Sequence, residues 1–271
     1  MSRVGLVVLG AGGRMGRRII ALAQEGAGTA VAAAIEAAGS PLIGRDAGDL
    51  AGIGPIGVTV TGDYLRAATA GTVALDFTAA EAAVEHARIA ARTRTAIVIG
   101  TTGFSREQRE EIERLAEQTP ILLAANMSVG VNVLLGLVRD AVRRLGPTFD
   151  VEIVEVHHNK KKDAPSGTAL ALASAAAEAA GVDPAEALTL ARQGLAGERR
   201  PGEIGVMALR GGDNVGEHTV MMLGTGERLE LVHRASSRDC LAAGAVRAGA
   251  WLAGKAPGLY SMEDVLGLRV A

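Results

Sequence analysis

The sequence predicts an α/β protein: an N-terminal doubly wound parallel sheet followed by an α+β domain built on an open mixed sheet. Three observations lead there. Apolar runs of strand length recur through the first half, at 4–9, 31–35, 73–77, 96–99 and 121–125, with Ala-rich stretches of helix length between several of them. That alternation implies right-handed crossovers and a parallel sheet, with ligands at the carboxyl ends of the strands. A glycine cluster follows the first run directly. Beyond Asn126 the pattern changes. Residues 151–156 mix apolar and acidic positions, and 203–209, 218–223 and 228–233 read as further strands. GlyGlyAspAsn at 211–214 and GlyThrGlyGlu at 224–227 supply the turns between them. From Asp239 onward the sequence reads as helical again.

Composition bounds what this fold is for. A chain of 271 residues buries a sizeable core and suits two domains sharing a ligand. Hydrophobic residues are 48% of it and aromatics only 2%, so the core is built from Ala, Val, Leu and Ile, as layered α/β packing allows. The single cysteine, Cys240, excludes an internal disulfide and points to a reducing compartment, the cytoplasm. The N-terminal apolar run is too short to span a bilayer and leads straight into glycines, which makes it a buried strand. With 28 basic and 30 acidic residues, the net charge of −2 leaves no long basic stripe. The expected partner is a small molecule, not nucleic acid or membrane.

The glycine cluster is Gly10, Ala11, Gly12, Gly13, Arg14, Met15 and Gly16, set between a strand and a helix-like stretch. That context is the one a Rossmann-like dinucleotide site needs. Met15 stands where the third glycine of G-x-G-x-x-G falls, so Gly10, Gly13 and Gly16 form a G-x-x-G-x-x-G variant. The chemistry survives the change, because glycine lets the backbone approach a pyrophosphate and a helix start offers amides with partial positive charge. Glu36 ends the second strand about 20 residues on, where a carboxylate accepts hydrogen bonds from an adenosine ribose. Ala37 and Ala38 follow it in place of a residue welcoming a 2′-phosphate, although Arg14 and Arg45 are within the same region. NADH is therefore expected to serve at least as well as NADPH. Gly100, Thr101 and Thr102, and then Ala124, Ala125, Asn126 and Met127, follow later strands and are expected to line the nicotinamide end on the same rim.

The first domain is accordingly assigned to 1–128 for dinucleotide binding and the second to 129–238 for substrate binding. A helical segment at 239–271 returns to the first domain.

The densest reactive cluster runs from His157 to Thr168. Two histidines and three lysines after a strand supply a proton donor near neutral pH and concentrated positive charge, which suits an anionic substrate. Pro165 and Ser166 resemble a helix start, with the first-turn amides of Gly167 and Thr168 turned toward whatever the lysines hold. A carboxylate fits there. Adjacent strand residues point to opposite faces, so His157 and His158 do not chelate one ion, and no metal site is expected. His86, His218 and His233 lack the partner pattern of a catalytic group and read as structural.

With both clusters in place the sequence resembles the dihydrodipicolinate reductase family, described also by the hydroxylated substrate, 4-hydroxy-tetrahydrodipicolinate. The likeness runs nearly end to end. It includes the glycine loop, AspPheThr at 76–78, GlyThrThrGly at 100–103, AsnMetSerValGlyValAsn at 126–132 and the block His157-His158, Lys161, Asp163 to Thr168. GlyGluArg at 226–228, AlaSerSerArg at 235–238 and GlyAlaValArg at 244–247 add to it.

The resemblance implies a nicotinamide-dependent reduction to tetrahydrodipicolinate in lysine and diaminopimelate biosynthesis. His157 is then the acid that protonates the ring, Lys161 its partner in proton donation, and His158, Ser166, Gly167 and Thr168 the substrate-binding residues. It further implies a homotetramer assembled through the second domain's sheet, and domains that close on a hinge. The family's common arginine after the ribose-binding acid is Ala37 here, and Lys160 and Lys162 occupy positions where the family varies. Two other readings compete: an amino-acid dehydrogenase of related two-domain fold, which lacks the block from His157 to Thr168, and a non-catalytic dinucleotide sensor, which needs no proton donor.

Overall fold

The computed structural model describes residues 3–268. The chain divides into two compact units, one holding the residues up to Val129 together with those from Asp239 on, the other Gly130–Arg238.

The first unit runs β1 (Val4–Leu9), α1 (Arg14–Glu25), β2 (Thr29–Ile35), α2 (Ala47–Ala51), β3 (Val60–Thr61), α3 (Tyr64–Ala67), β4 (Thr72–Asp76), α4 (Ala80–Thr93), β5 (Ala96–Ile99), α5 (Arg106–Ala116) and β6 (Pro120–Leu123). Its sheet is parallel and ordered β12-β6-β5-β4-β1-β2-β3, where β12 is Gly258–Tyr260. The order reverses at β1, the topological switch point at which a doubly wound sheet opens a crevice.

Side-chain alternation explains why these apolar runs are strands covered on both faces. Leu6 and Val8 of β1 point to one side with Val73, Leu75 and Val98, against Ile19, Ile20 and Ala23 of α1. Val7 and Leu9 point to the other with Ala74, Ile97 and Ile99, against Ala83, Ala87 and Ala90 of α4 and Ile112 of α5. Burying each large aliphatic side chain contributes roughly 1.5–3 kcal/mol, and the alanines let the helices lie close to the sheet.

In the second unit α6 (Val129–Leu145) leads to β7 (Asp150–His157), α7 (Gly167–Ala180), α8 (Pro184–Ala187), β8 (Leu188–Thr189), β9 (Ile204–Arg210), β10 (Glu217–Gly224) and β11 (Glu227–Arg234). The sheet is mixed and ordered β11-β10-β7-β9-β8, with β7 antiparallel to β10 and parallel to β9. One face packs Val151, Ile153, Val206 and Val220 under Val138 of α6 and Leu172 and Ala176 of α7.

Two expectations change. The segment after Asp239 is not helical throughout. Between α9 (Asp239–Leu252) and α10 (Met262–Leu266), β12 pairs with β6 and completes the first sheet. A three-residue strand containing glycine has too few side chains to show a period of two. The fourth strand also ends earlier than its apolar run, at Asp76, whose side chain accepts from the Thr78 backbone N–H at 2.9 Å and turns the chain.

Candidate active site

The glycine loop caps α1 at the carboxyl end of β1. The backbone N–H groups of Gly10 and Ala11 both donate to the carbonyl of Ile35, and that of Gly13 to Gly10. Gly12 donates instead to the Glu36 carboxylate, 2.6 Å away. Arg14 and Met15 then begin α1, where an α-helix leaves its amides without internal partners. No side chain caps this helix start. Gly16 lies against the loop's backbone: a Cβ there would stand 2.2 Å from the Gly10 carbonyl oxygen. A cavity of about 780 Å³ opens beside the loop, lined by Gly10, Gly12, Gly13, Glu36, Thr78 and His86 among others. Its size, its glycine wall and the Glu36 carboxylate beside the loop fit a dinucleotide.

The individual residues sort differently from the expectation. Ala11 is fully buried with its amide committed to Ile35, so it shapes the loop rather than reaching a ligand. Met127 is likewise a core side chain, 1% exposed, rather than one that lines the nicotinamide end. The Thr101 hydroxyl donates to Asp76 at 2.9 Å and is buried, so it is not available to a carboxamide. Gly100 presses on the ring of Phe77, which a Cβ would meet at 2.2 Å. Asn126 folds back to accept from the Ser128 N–H. Arg14, Thr102 and Ala125 are exposed, and Ala124 is half-buried with its N–H bonded to Ile99.

Asp76, which the sequence shows only as part of the AspPheThr motif and without a role, ties this region together. Its carboxylate is fully buried and accepts from Thr78 through both N–H and Oγ1, from Thr101, and from His86 Nδ1 at 2.5 Å. His86 was expected to be structural; it is, as the partner of Asp76, but it also lines the cavity. An acid closing an apolar strand run was the available signal.

In the second unit, His157 ends β7. Its Nδ1 lies 2.5 Å from Oε2 of Glu155, a fully buried carboxylate. Being ionised, that carboxylate can only accept, so Nδ1 carries the hydrogen and Nε2 is the open ring nitrogen. Beside Nε2 stands Gly216, whose missing side chain leaves room: a Cβ there would come within 2.9 Å. Glu155 also accepts from Arg210 through both oxygens, at 2.8 Å each, and from the Ser166 N–H at 3.0 Å. Burial pushes the Glu155 carboxyl up, but the bonds from Arg210, His157 and Ser166 outweigh it and hold it below the ordinary value. The His218 ring packs edge-on to His157, centroids 5.4 Å apart. Burial first, and then the nearby His157, push His218 down to about 4, so it stays neutral and adds no second charge.

Lys161 pairs with Asp163 at 2.8 Å, and that bond holds the Asp163 carboxyl below its usual range. His158 accepts the Lys160 N–H on Nδ1. Gly167 takes the first position of α7, with Thr168 next. Ser166 departs from expectation. Only 2% exposed, it caps α7 by accepting from Ala169, donates its N–H to Glu155 and pairs with His218 at 3.1 Å. With its groups committed, it builds the site and leaves substrate contact to others. Glu155 and Arg210 were not anticipated. Glu155 shares the buried phase of β7 with Val151 and Ile153, and a carboxylate in that phase was the signal.

Among the described residues no helix is long and apolar enough to cross a membrane.

Comparison with known proteins gives full-length matches. Residues 4–127 match the family model described as dihydrodipicolinate reductase, N-terminus, and residues 130–266 that described as dihydrodipicolinate reductase, C-terminus. The chain is 54% identical over 264 residues to the 4-hydroxy-tetrahydrodipicolinate reductase of Anaeromyxobacter dehalogenans strain 2CP-C, covering 97% of this chain and 98% of that one. The corresponding protein of Geobacter metallireducens is 50% identical over 266 residues, with 98% and 100% covered. Among solved structures, the dipicolinate-bound dihydrodipicolinate reductase of Paenisporosarcina sp. TG-14 gives a TM-score of 0.75 at 24% identity, over 96% of this chain and 98% of that one. An amine dehydrogenase from Mycobacterium smegmatis gives 0.62 at 16%, over 100% and 98%. At such identities the two structures speak for the fold alone.

Proposed function

Because the chain belongs to the dihydrodipicolinate reductase family, we propose that it reduces the cyclic imine dicarboxylate formed from 4-hydroxy-tetrahydrodipicolinate by loss of water, giving tetrahydrodipicolinate for lysine and diaminopimelate biosynthesis. The observation that carries the reading is His157, whose Nδ1 is held by a buried carboxylate and whose Nε2 is met by no hydrogen bond among the described residues. The family likeness sets aside the amino-acid dehydrogenase, which lacks the block from His157 to Thr168, and the dinucleotide sensor, which needs no proton donor.

NADH or NADPH, when bound, supplies the hydride. The amides at the start of α1 and the loop glycines hold its pyrophosphate, and Glu36 receives a ribose in exchange for the Gly12 N–H it now accepts. In the second unit the first turn of α7, at Gly167 and Thr168, together with His158, holds a substrate carboxylate. In its doubly protonated form His157 gives the Nε2 proton to the ring carbon beside the one reduced, quenching the enamine-like carbanion and leaving the neutral ring with Nδ1–H on Glu155, and Lys161 assists from the same loop.

Following cofactor oxidation with the condensation product of pyruvate and aspartate semialdehyde tests the activity. The same assay, run with each cofactor, is expected to show NADH used at least as well as NADPH, because Glu36 repels a 2′-phosphate and Ala37 offers it no cation. A preference for NADPH of a hundredfold or more overturns that.

The native state is a homotetramer built on the second unit's open sheet face, where Leu209 and Val232 are 52% and 44% exposed. Sedimentation at micromolar concentration is expected to give four times the chain mass of 27.6 kDa, and a monomer there refutes it. The enzyme works in the cytoplasm, in keeping with its single cysteine. Fractionation of the producing cells checks this, and recovery from the membrane or the medium overturns it.

A further inference from the structure

Four contacts converge on Glu155, which no solvent reaches. Oε2 accepts from His157 Nδ1 and Arg210 Nη1, and Oε1 accepts from Arg210 Nη2 and the Ser166 N–H. Strand register produces the convergence. His157 on β7 is the partner of Arg210 on β9, and Glu155 is the partner of His218 on β10, so all four side chains rise from one patch of sheet.

A buried ion pair is weak evidence for stability, since apolar residues of similar size usually serve a core as well or better. What an apolar pair cannot do is orient an imidazole. We infer that Glu155 is the positioning residue for His157, locking its ring so that Nε2 is the nitrogen that gives and takes the proton, and that Arg210 is the counterion that holds Glu155 in place.

The charges facing His157 support this division of labour. From its own strand comes Glu155, from β9 Arg210, from β10 the neutral His218, from β11 His233, which stands opposite His218, and from the following loop Lys161 with Asp163. Arg210 engages both Glu155 oxygens, so the carboxylate faces the imidazole already neutralised. It can orient the ring and steady its protonated form without keeping the proton for itself. The inference rests on His157 being the proton donor.

The test compares Glu155→Gln with His157→Gln in the native enzyme. A glutamine amide next to Nδ1 favours the opposite tautomer, so kcat for Glu155→Gln is expected to fall by about 10²–10⁴-fold. Substrate KM and cofactor affinity should stay within a few-fold of the parent. A residue that only held the fold together would not produce that split. If His157→Gln loses turnover and Glu155→Gln keeps kcat within threefold, the inference about Glu155 fails alone. If His157→Gln itself keeps turnover, the proton-donor reading fails first. Should Glu155→Gln not fold, the double variant Glu155→Met with Arg210→Met decides, because it removes both charges together. A folded double variant with low kcat supports the inference, and one with the parent's kcat overturns it. If the double variant also fails to fold, the pair is holding the fold rather than aiming the ring, and the inference is withdrawn.

Discussion

His157→Gln is expected to lower kcat by about 10²–10⁴-fold, the usual contribution of a positioned general acid. Glutamine has the length to keep a hydrogen bond to Glu155, so the fold and the Glu155–Arg210 pair should persist. What disappears is a ring nitrogen that can hold and release a proton. Hydride addition then leaves a carbanion with no donor, and the loss falls on kcat rather than on substrate KM. Cofactor binding should stay near the parent's value, because the glycine loop and Glu36 belong to the other unit. Steady-state cofactor oxidation with parallel titration of NADH fluorescence measures both. Undiminished turnover in this variant would mean that the proton comes from another group, and the role given to His157 would be lost.

The second large effect is expected at Gly16. A methyl group there would lie 2.2 Å from the Gly10 carbonyl oxygen, 2.8 Å from the Ala11 Cα and 2.9 Å from the Ala11 carbonyl oxygen. All three are backbone atoms, so no rotamer change relieves the contact. Helix α1 has to lift from the loop, taking with it Ile19, Ile20 and Ala23, which are fully buried against the sheet. Gly16→Ala should therefore cost about 1–3 kcal/mol of stability, the range for overpacking. The amides at the start of α1 move with the helix, so cofactor affinity should fall by roughly tenfold or more, equivalent to about 1.4 kcal/mol of lost contact. Urea unfolding and NADH titration read the two losses. A variant as stable as the parent, with unchanged affinity, would show that this close approach is not what places the helix start.

Gly16 also shows how far a motif can be read. The sequence displays the third glycine of a variant fingerprint, and its spacing alone suggests close helix-to-loop packing. It does not say which loop residues remain open to a ligand. Ala11, Thr101 and Met127 stand in the right segments, yet each is committed elsewhere, to the Ile35 carbonyl, to Asp76 and to the core. Motif position identifies the segment; burial and hydrogen bonding select the residue. Ser166 repeats the lesson in the second unit: the sequence shows a helix start there, and only burial and hydrogen bonding show its groups committed to the cap, to Glu155 and to His218.

The residues that sequence reading missed are of one kind. Asp76 and Glu155 are fully buried carboxylates flanked in sequence by apolar residues, each holding a histidine at 2.5 Å. On a strand, a lone acid among valines and leucines looks like an interruption of the period. It becomes meaningful only when another element supplies its partners, as α4 supplies His86 and β9 supplies Arg210.

The sequence by itself determined the layered α/β class, the place of the glycine loop after the first strand, the mixed sheet of the second half and the reactive block that follows residue 157. These are legible because they arise from short-range causes: periods of two and of 3.6, turn chemistry and contiguous motifs. The tertiary structure alone decided that the last strand returns to β6, that Arg210 reaches Glu155 across 55 positions, and which ring nitrogen of His157 is open. Those outcomes depend on strand register and on buried hydrogen-bond satisfaction, which couple residues distant in the chain and leave no local pattern to read.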